Sequence, residues 1–203
     1  MLHYETVYPD TLGLLKMLME NIDLSDFNLA GGTSLSLQIG HRLSYDLDLF
    51  GVSNLTTDEI LEIVEPFSPQ LLSQSKNILI LNINDIKVDF VKYRYLPISP
   101  VCIYDENLRL LDLPDIAAMK MAAIVGRGRK RDFTDIYFLL QRFTMEEMIG
   151  FYNQKYPDGN TFLVLRSLTY FEDANQDEGL NLLIQVDWQT VKTEILNAVK
   201  LLS

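Results

Sequence analysis

The sequence predicts an α+β fold of α/β-like character, in which a small sheet domain is followed by a mainly helical half. Two observations predict this class. Apolar and polar residues alternate along segments of the first half, as in half-buried strands, and from Leu113 onward apolar residues recur at helical spacing. The 203 residues suffice for one ordinary domain, or for a compact core with an appended subdomain. We place the division between residues 1–105 and 106–203.

The first half is predicted to combine helical segments with three strands. The helical segments run from Pro9 to Asn21, from Thr33 to Ile39 and from Thr57 to Val64. The alternating run from Tyr45 to Phe50 predicts the first strand. The other two strands are ILILNIND and IKVDFVKY, which meet at Asn84-Asp85, a pair that favours a tight turn.

The second half is predicted to be built from helices. DLPDIAAMKMAAIVG carries Pro114 early and Gly126 at its end, where helix start and stop signals belong. A second helix is predicted from Arg131 to Phe143, and Thr144 is expected to cap a third, MEEMIGFYNQKY. The last predicted helix runs from Trp188 to Leu202.

The charge balance limits the kinds of partner. Seventeen basic and 28 acidic side chains give a formal net charge of −11. This sum argues against a protein that works by general attraction to nucleic acid or to an anionic membrane. Any phosphate chemistry must therefore depend on a local basic patch.

Cysteine and histidine are scarce, which excludes two further classes of protein. Cys102 is the single cysteine, so it has no intramolecular disulfide partner, and two histidines with one thiol cannot build a Cys/His zinc cluster. No basic region precedes the first apolar run, and no apolar stretch approaches the roughly 20 residues of a membrane span. We therefore expect a cytoplasmic protein with no membrane partner.

The first candidate site is Gly31-Gly32-Thr33-Ser34. Paired glycines at the start of a short helix allow a ligand to approach the backbone closely. Thr33 or Ser34 could cap that helix or contact an anion through its hydroxyl. These features predict a phosphate-binding site.

Three aspartates form the second candidate site. Asp46 and Asp48 are two apart on a predicted strand, so they face the same side and suit Mg²⁺. Asp89 lies in IKVDFVKY and reaches the same pocket if its strand neighbours the first. Three carboxylates around two metal ions could activate one oxygen and stabilise the leaving one in nucleotidyl transfer. The alternative is that the aspartates mark a solvated strand face and the glycines a loop.

These residues carry a family resemblance. The run GGTSLSLQIGHRLSYDLDLF resembles the signature of polymerase-beta-like nucleotidyltransferases, with Asp89 in the place of their third, often base-like, carboxylate. More narrowly, GHRLSYDLDLF, DLPDIAAMKMAAIVGRGRKRDFTDIYFLL, SLTYFEDA and VDWQTVK resemble the abortive-infection nucleotidyltransferase toxins of AbiEii/AbiGii type. The resemblance covers about Gly31 to Lys192, and the segment from Lys120 to Leu140 is the most specific part. It implies a polymerase-beta-type core with a mixed sheet, and a helical C-terminal subdomain that completes the nucleotide cleft.

The segment from Lys120 to Arg142 is the local basic patch. Six basic residues in it stand against two acidic ones, and lysine with arginine could neutralise a triphosphate. The resemblance implies that Lys120 contacts the nucleotide and that Asp132 is the late motif aspartate, with Arg127 among the nucleotide-binding residues and Asp135 beside them. The alternative is that GRGRKRD is a solvated loop whose charges pair with neighbouring acids.

We therefore predict an Mg²⁺-dependent nucleotidyltransferase that moves a nucleoside monophosphate from an NTP such as ATP to an acceptor hydroxyl. Two Mg²⁺ ions are expected, with Mn²⁺ as a substitute. Asp46 and Asp48 would bind the metals, and Asp89 would complete the site and serve as the base. The resemblance implies the toxin of a bacterial toxin–antitoxin or abortive-infection pair, with a cognate antitoxin protein as partner and RNA, in some cases the tRNA acceptor end, as acceptor.

Three alternative functions remain open. The chain could be a binding module that keeps the scaffold without turnover and acts through partner contacts. It could instead transfer nucleotides to a protein hydroxyl or to a small molecule, which the net acidity favours mildly. A D-x-D glycosyltransferase is the weaker rival, because it leaves the glycine pair and Lys120 unexplained.

Overall fold

A computed structural model describes residues 1–105 and 107–202. The chain forms two compact units, Met1–Asp112 and Leu113–Ser203. This boundary lies seven residues after the one we placed at residue 105. The difference arises because Leu108–Leu110 is a strand that joins the sheet of the first unit. Glu106, the first residue of the predicted second domain, lies outside the described residues.

The first unit is built on a mixed seven-stranded sheet. Its spatial order is β3-β4-β5-β2-β1-β7-β6. The pairs β2–β5 and β1–β7 are parallel and the other pairs are antiparallel. The strands are β1 Phe27–Ala30, β2 Leu47–Gly51, β3 Gln70–Gln74, β4 Ile78–Ile83, β5 Ile86–Lys92, β6 Cys102–Tyr104 and β7 Leu108–Leu110.

The three predicted strands are confirmed, although the first begins at Leu47 and not at Tyr45. The tight turn between β4 and β5 is also confirmed. Asn84 and Asp85 have φ values of 52° and 62°, the left-handed conformation that a two-residue hairpin turn of this kind requires. The sequence analysis missed β1, β3, β6 and β7, which have three to five residues each and show little alternation.

The three α-helices among the described residues of this unit lie where the pattern predicts helical segments. They are α1 Pro9–Glu20, α2 Gly31–Ile39 and α3 Thr57–Val64. Pro9 occupies the first turn of α1, where its missing N–H has no intrahelical acceptor to lose. The helix α3 begins with a capping box, in which the Thr56 side chain accepts from the Glu59 N–H while the Glu59 carboxylate accepts from the Thr56 N–H.

The hydrophobic core of the first unit is packed against one face of the central strands. Leu47 and Leu49 of β2 and Val88 and Phe90 of β5 are at most 2% exposed. Their alternation with less buried residues is the pattern that the sequence predicts for these strands. It leaves Asp48 and Asp89 together on the opposite face.

The second unit is helical, as predicted. Its helices are α4 Leu113–Gly126, α5 Lys130–Leu139, α6 Met145–Lys155, α7 Thr161–Leu168, α8 Glu172–Asn175 and α9 Trp188–Lys200. The bounds of α4 match its start and stop signals, and Thr144 caps α6 through a capping box with Glu147. The sequence analysis missed α7 and α8. Within residues 1–105 and 107–202, no helix is long and apolar enough to cross a membrane.

The core of the second unit contains an ion pair that the sequence analysis missed. Lys155, at the end of α6, places its Nζ 2.6 Å from Oδ1 of Asp115 in the first turn of α4. Both side chains are at most 1% exposed. This pair therefore joins two helices through charges removed from water.

Candidate active site

Two of the three predicted carboxylates are direct neighbours in the sheet. Asp48 of β2 is paired in register with Asp89 of the parallel strand β5. Residues in register on adjacent strands point to the same face, so these carboxylates share one side of the sheet. Asp46 comes just before β2 and is partly exposed.

The first glycine of the candidate phosphate site lies against one of these carboxylates. Gly31 has a φ of +66°, and a Cβ at this position would lie 2.0 Å from Oδ2 of Asp48. The position therefore needs glycine for two reasons, the left-handed backbone and the space that the Asp48 side chain fills. This contact links the two motifs that the sequence placed 17 residues apart.

The second glycine lies against a buried arginine. A Cβ at Gly32 would lie 2.3 Å from Nη2 of Arg42. Arg42 is 6% exposed, and its Nη1 donates to the Leu43 carbonyl at 3.0 Å. The Arg42 guanidinium therefore packs beneath the start of α2.

The prediction that Thr33 or Ser34 caps α2 is wrong. The N-cap residue is Ala30. Thr33 and Ser34 both belong to the helix itself, and each residue is at most 1% exposed. The Thr33 hydroxyl lies 2.8 Å from the Ser44 hydroxyl and donates to the Asp46 carbonyl. Ser34 accepts from Gln38 Nε2 at 3.1 Å. Through these bonds, Thr33 ties the segment that contains Asp46 to the start of α2.

Asp89 has a cationic neighbour that the sequence analysis missed. Lys87 Nζ lies 2.6 Å from Oδ2 of Asp89, while Oδ1 is buried and has no hydrogen-bond partner among the described residues. The signal was present in the alternation of IKVDFVKY, since residues two apart on a strand share a face. A buried oxygen without a hydrogen-bond partner destabilises the folded protein, and a bound metal ion or a proton donor would remove that penalty.

The carboxylates fit Mg²⁺ as a pair and not as a cage of three. Across residues 1–105 and 107–202, no group of three or more acidic, histidine or cysteine side chains is arranged to hold a metal ion. Mg²⁺ in proteins usually keeps several waters and binds through one or two carboxylates together with substrate phosphates. Asp48 with Asp89, whose Oδ1 has no partner, matches that donor set.

The second unit contains its own cluster of predicted site residues. Lys120 Nζ lies 3.1 Å from Oδ1 of Asp132 and 2.6 Å from Oδ2 of Asp135, and all three side chains are at most 5% exposed. Arg127 binds Asp132 with two parallel hydrogen bonds, from Nε at 2.9 Å and from Nη2 at 3.0 Å. Lys120 therefore forms ion pairs with two carboxylates of α5. Arg127, whose side chain is half exposed, is the member of the cluster that reaches solvent.

The charges of this cluster are matched. Burial by itself raises the pKa of Asp132, but attraction by Lys120 and the hydrogen bonds from Arg127 lower it more. The pKa of this carboxyl therefore lies below its usual range, and Asp132 is ionised at neutral pH. Lys120 and Arg127 are balanced inside the cluster by Asp132 and Asp135.

The remaining basic residues of the patch are partly neutralised as well. Arg129 Nη1 lies 2.8 Å from Oδ1 of Asp177, and the backbone N–H of Lys130 donates to the other oxygen of the same carboxylate at 2.8 Å. Arg131 and Arg142 are exposed. The basic segment is therefore mainly an ion-paired structure, whose outer side presents Arg127, Arg131 and Arg142.

Comparison with known proteins decides the family. The family model described as nucleotidyl transferase AbiEii toxin, type IV TA system, matches residues 14–201. The chain belongs to the AbiEii nucleotidyltransferase toxin family. Membership of this family makes the protein a nucleotidyltransferase that acts in a toxin–antitoxin context, as the sequence analysis predicted.

One curated protein is similar to this chain in sequence, and two solved structures are similar to it in fold. The protein aq_aa25 of Aquifex aeolicus (strain VF5) is 36% identical over 159 residues, which cover 75% of this chain and 77% of that protein. The nucleotidyltransferase toxin MenT4 (Rv2826c) of Mycobacterium tuberculosis H37Rv is similar in structure, with a TM-score of 0.60, 16% identity and coverage of 92% of this chain and 80% of that one. JHP933 of Helicobacter pylori gives a TM-score of 0.57 at 17% identity, with coverage of 96% and 92%. The structural likeness confirms the predicted nucleotidyltransferase fold.

Proposed function

We propose that this protein is an Mg²⁺-dependent nucleotidyltransferase that moves a nucleoside monophosphate from an NTP to a hydroxyl of RNA, such as tRNA. The observation that carries the proposal is the register pair Asp48–Asp89, with the Asp48 carboxylate packed against Gly31. This arrangement places two oxygen donors beside the start of α2, where backbone N–H groups suit a phosphate.

The chain's own residues supply the positioning and the proton acceptor. Asp48 and Asp89, with Asp46 beside them, would hold Mg²⁺, which when bound stabilises charge on the transferred phosphate and on the leaving pyrophosphate. The acceptor oxygen forms a bond to the α-phosphorus as the bond to the β-phosphate oxygen breaks. In this proposal the proton of the acceptor hydroxyl passes to the Asp89 carboxylate.

The phosphates are bound by backbone more than by hydroxyls in this proposal. The Thr33 and Ser34 hydroxyls are buried and already bonded within the protein. The N–H groups of the first turn of α2 have no acceptor within the helix and point toward its N-terminus. Gly31 and Gly32 carry no side chains of their own at that end, and the Asp48 carboxylate and the Arg42 guanidinium pack against them, so a metal-bound phosphate could meet both the backbone N–H groups and the guanidinium there.

The second unit has a candidate phosphate-binding arginine of its own. Arg127 is half exposed and is held by Asp132, which Lys120 holds in turn. A cavity of about 270 Å³ lies beside it, with Arg166 and Tyr170 also in its lining. We therefore propose Arg127 as a phosphate-binding residue, and we assign to Lys120 and Asp132 the support of that guanidinium.

The proposal also names an acceptor, a partner and a setting. The family description names a toxin of a toxin–antitoxin system, which supports a cognate antitoxin as partner. To this we add RNA as the proposed acceptor and a bacterial cytoplasm as the proposed setting. The exposed Arg131 and Arg142 could attract an RNA end locally despite the net charge of −11. A protein hydroxyl or a small molecule is the alternative acceptor, which the overall acidity favours mildly.

Incubation of the purified protein with each labelled NTP, Mg²⁺, and either total RNA or total protein tests turnover and acceptor class together. We expect label on RNA, dependent on the divalent ion and strongest with one nucleotide. Label on protein or on a small molecule would show that RNA is not the acceptor and would identify the acceptor class instead. The absence of label on every acceptor with Mg²⁺ or Mn²⁺ would contradict catalysis and favour a binding module.

A further inference from the structure

Lys87 contacts Asp89, and neither the motif nor the family match gives this lysine a role. Its Nζ lies 2.6 Å from Oδ2 of Asp89, and its side chain is 41% exposed while that of Asp89 is 16% exposed. Lys87 and Asp89 are two apart on β5, so the ammonium lies on the face that carries Asp48. A positive charge therefore already contacts one of the two carboxylates that are proposed to bind the metal ion.

We propose that Lys87 is a resident cation of the Asp48–Asp89 pair, which competes with a divalent metal ion for Asp89 and makes metal binding depend on the nucleotide. This inference rests on the proposed function. The inference adds an order of binding to the proposed function. A metal ion alone must displace the ammonium from Asp89, whereas a metal ion that arrives with a triphosphate brings a new anionic partner for Lys87.

The electrostatics favour competition over simple support. A divalent cation at Asp89 would be repelled by an ammonium in direct contact with the same carboxylate. The ammonium is a compact charge on a flexible four-carbon stem, and its partial exposure lets it move away without breaking the core. A released ammonium beside the site is a ready donor to phosphate oxygens.

The coupling has a thermodynamic consequence. If displaced Lys87 is taken up by the nucleotide, each ligand raises the affinity for the other by the same factor. A protein that lacks the Lys87 charge should bind the metal ion more tightly on its own and gain less from the nucleotide. If Lys87 only holds Asp89 in place, its removal should weaken metal binding instead.

Titration of the intact protein with Mn²⁺ as probe, in calorimetry or by the electron spin signal of free Mn²⁺, separates these outcomes. We expect Lys87→Met to bind Mn²⁺ about fivefold more tightly than the wild type, the size of an ordinary partly exposed ion pair. Lys87→Arg, which keeps the charge, should retain the wild-type affinity. Lys76→Met removes the same charge from the exposed segment between β3 and β4 and should also match the wild type.

The nucleotide provides the second half of the test. Addition of a non-hydrolysable NTP analogue should raise the Mn²⁺ affinity of the wild type by a larger factor than that of Lys87→Met. An unchanged or weaker Mn²⁺ affinity in Lys87→Met, or an equal gain from the analogue in both proteins, would overturn the inference.

Asp89→Asn distinguishes this failure from failure of the proposed function. If Asp89→Asn loses Mn²⁺ binding while Lys87→Met behaves as the wild type, the metal site stands and only the role of Lys87 is wrong. If Mn²⁺ does not bind to the wild type, or binds equally well to Asp89→Asn, the metal site itself is refuted and the inference with it.

Discussion

Gly31 is the residue at which the two sequence motifs meet. Its backbone is left-handed, and the space that a Cβ would fill is occupied by the Asp48 carboxylate. Sequence reasoning predicted a glycine for close approach of a phosphate. The structure adds that the same glycine makes room for the Asp48 carboxylate, one of the proposed metal ligands. This contact is invisible in the sequence because it depends on the antiparallel pairing of β1 with β2.

Gly31→Ala should therefore damage the site more than the fold. The left-handed backbone of an alanine costs about 1–2 kcal/mol, and the new methyl group must push Asp48 away from Asp89. We expect a modest loss in the free energy of unfolding, measured in urea, and a loss of most nucleotide transfer. Gly13→Ala is the matched control, because nothing lies within 4 Å of its Cβ in α1, and it should keep activity with equal or higher stability. Full activity in Gly31→Ala would contradict the contact.

At the scale of elements, two buried lysines connect the helices of the second unit. Lys120 of α4 binds two carboxylates of α5, and Lys155 of α6 binds Asp115 of α4. The periodicity of the sequence predicted these helices but not these ion pairs. A lysine in a helical pattern is normally assigned to the exposed face, because its buried partner cannot be recognised from the sequence. The partners lie 12, 15 and 40 residues away in the sequence.

Removal of one partner of the Lys155–Asp115 pair should be costly. Lys155→Met leaves a buried carboxylate without its cation, and such a change typically costs about 3–5 kcal/mol. The double variant Lys155→Met with Asp115→Leu removes both charges and should recover much of that loss. Chemical denaturation of the wild type, the single variant and the double variant measures both values. A single variant as stable as the wild type would show that the pair does not stabilise the packing of α4 and α6.

For the whole molecule, the order of motifs predicted more than the charge pattern did. The order from Gly31 through Asp48 and Asp89 to Lys120 predicted the family, and the alternation in β2 and β5 predicted which of their residues face the core. The parallel pairing of β2 with β5, which puts Asp89 beside Asp48, could not be derived from local sequence because the strands are separated by α3, β3 and β4. The basic segment was expected to be a phosphate patch, yet much of its charge is matched, partly by Asp177, which is distant in sequence.

The most direct test of the account compares nucleotide transfer by the wild type, Asp48→Asn and Asp85→Asn under single-turnover conditions with labelled NTP. Asp48→Asn keeps the shape of the side chain but removes one charge of the proposed metal pair, and the loss of several kcal/mol of transition-state stabilisation predicts a rate lower by about 100-fold or more. Asp85→Asn makes the same change in the exposed β4–β5 turn, where asparagine also accepts the left-handed backbone, and should retain the wild-type rate. A folded Asp48→Asn variant that transfers nucleotide at the wild-type rate would contradict the assignment of this carboxylate pair as the catalytic site.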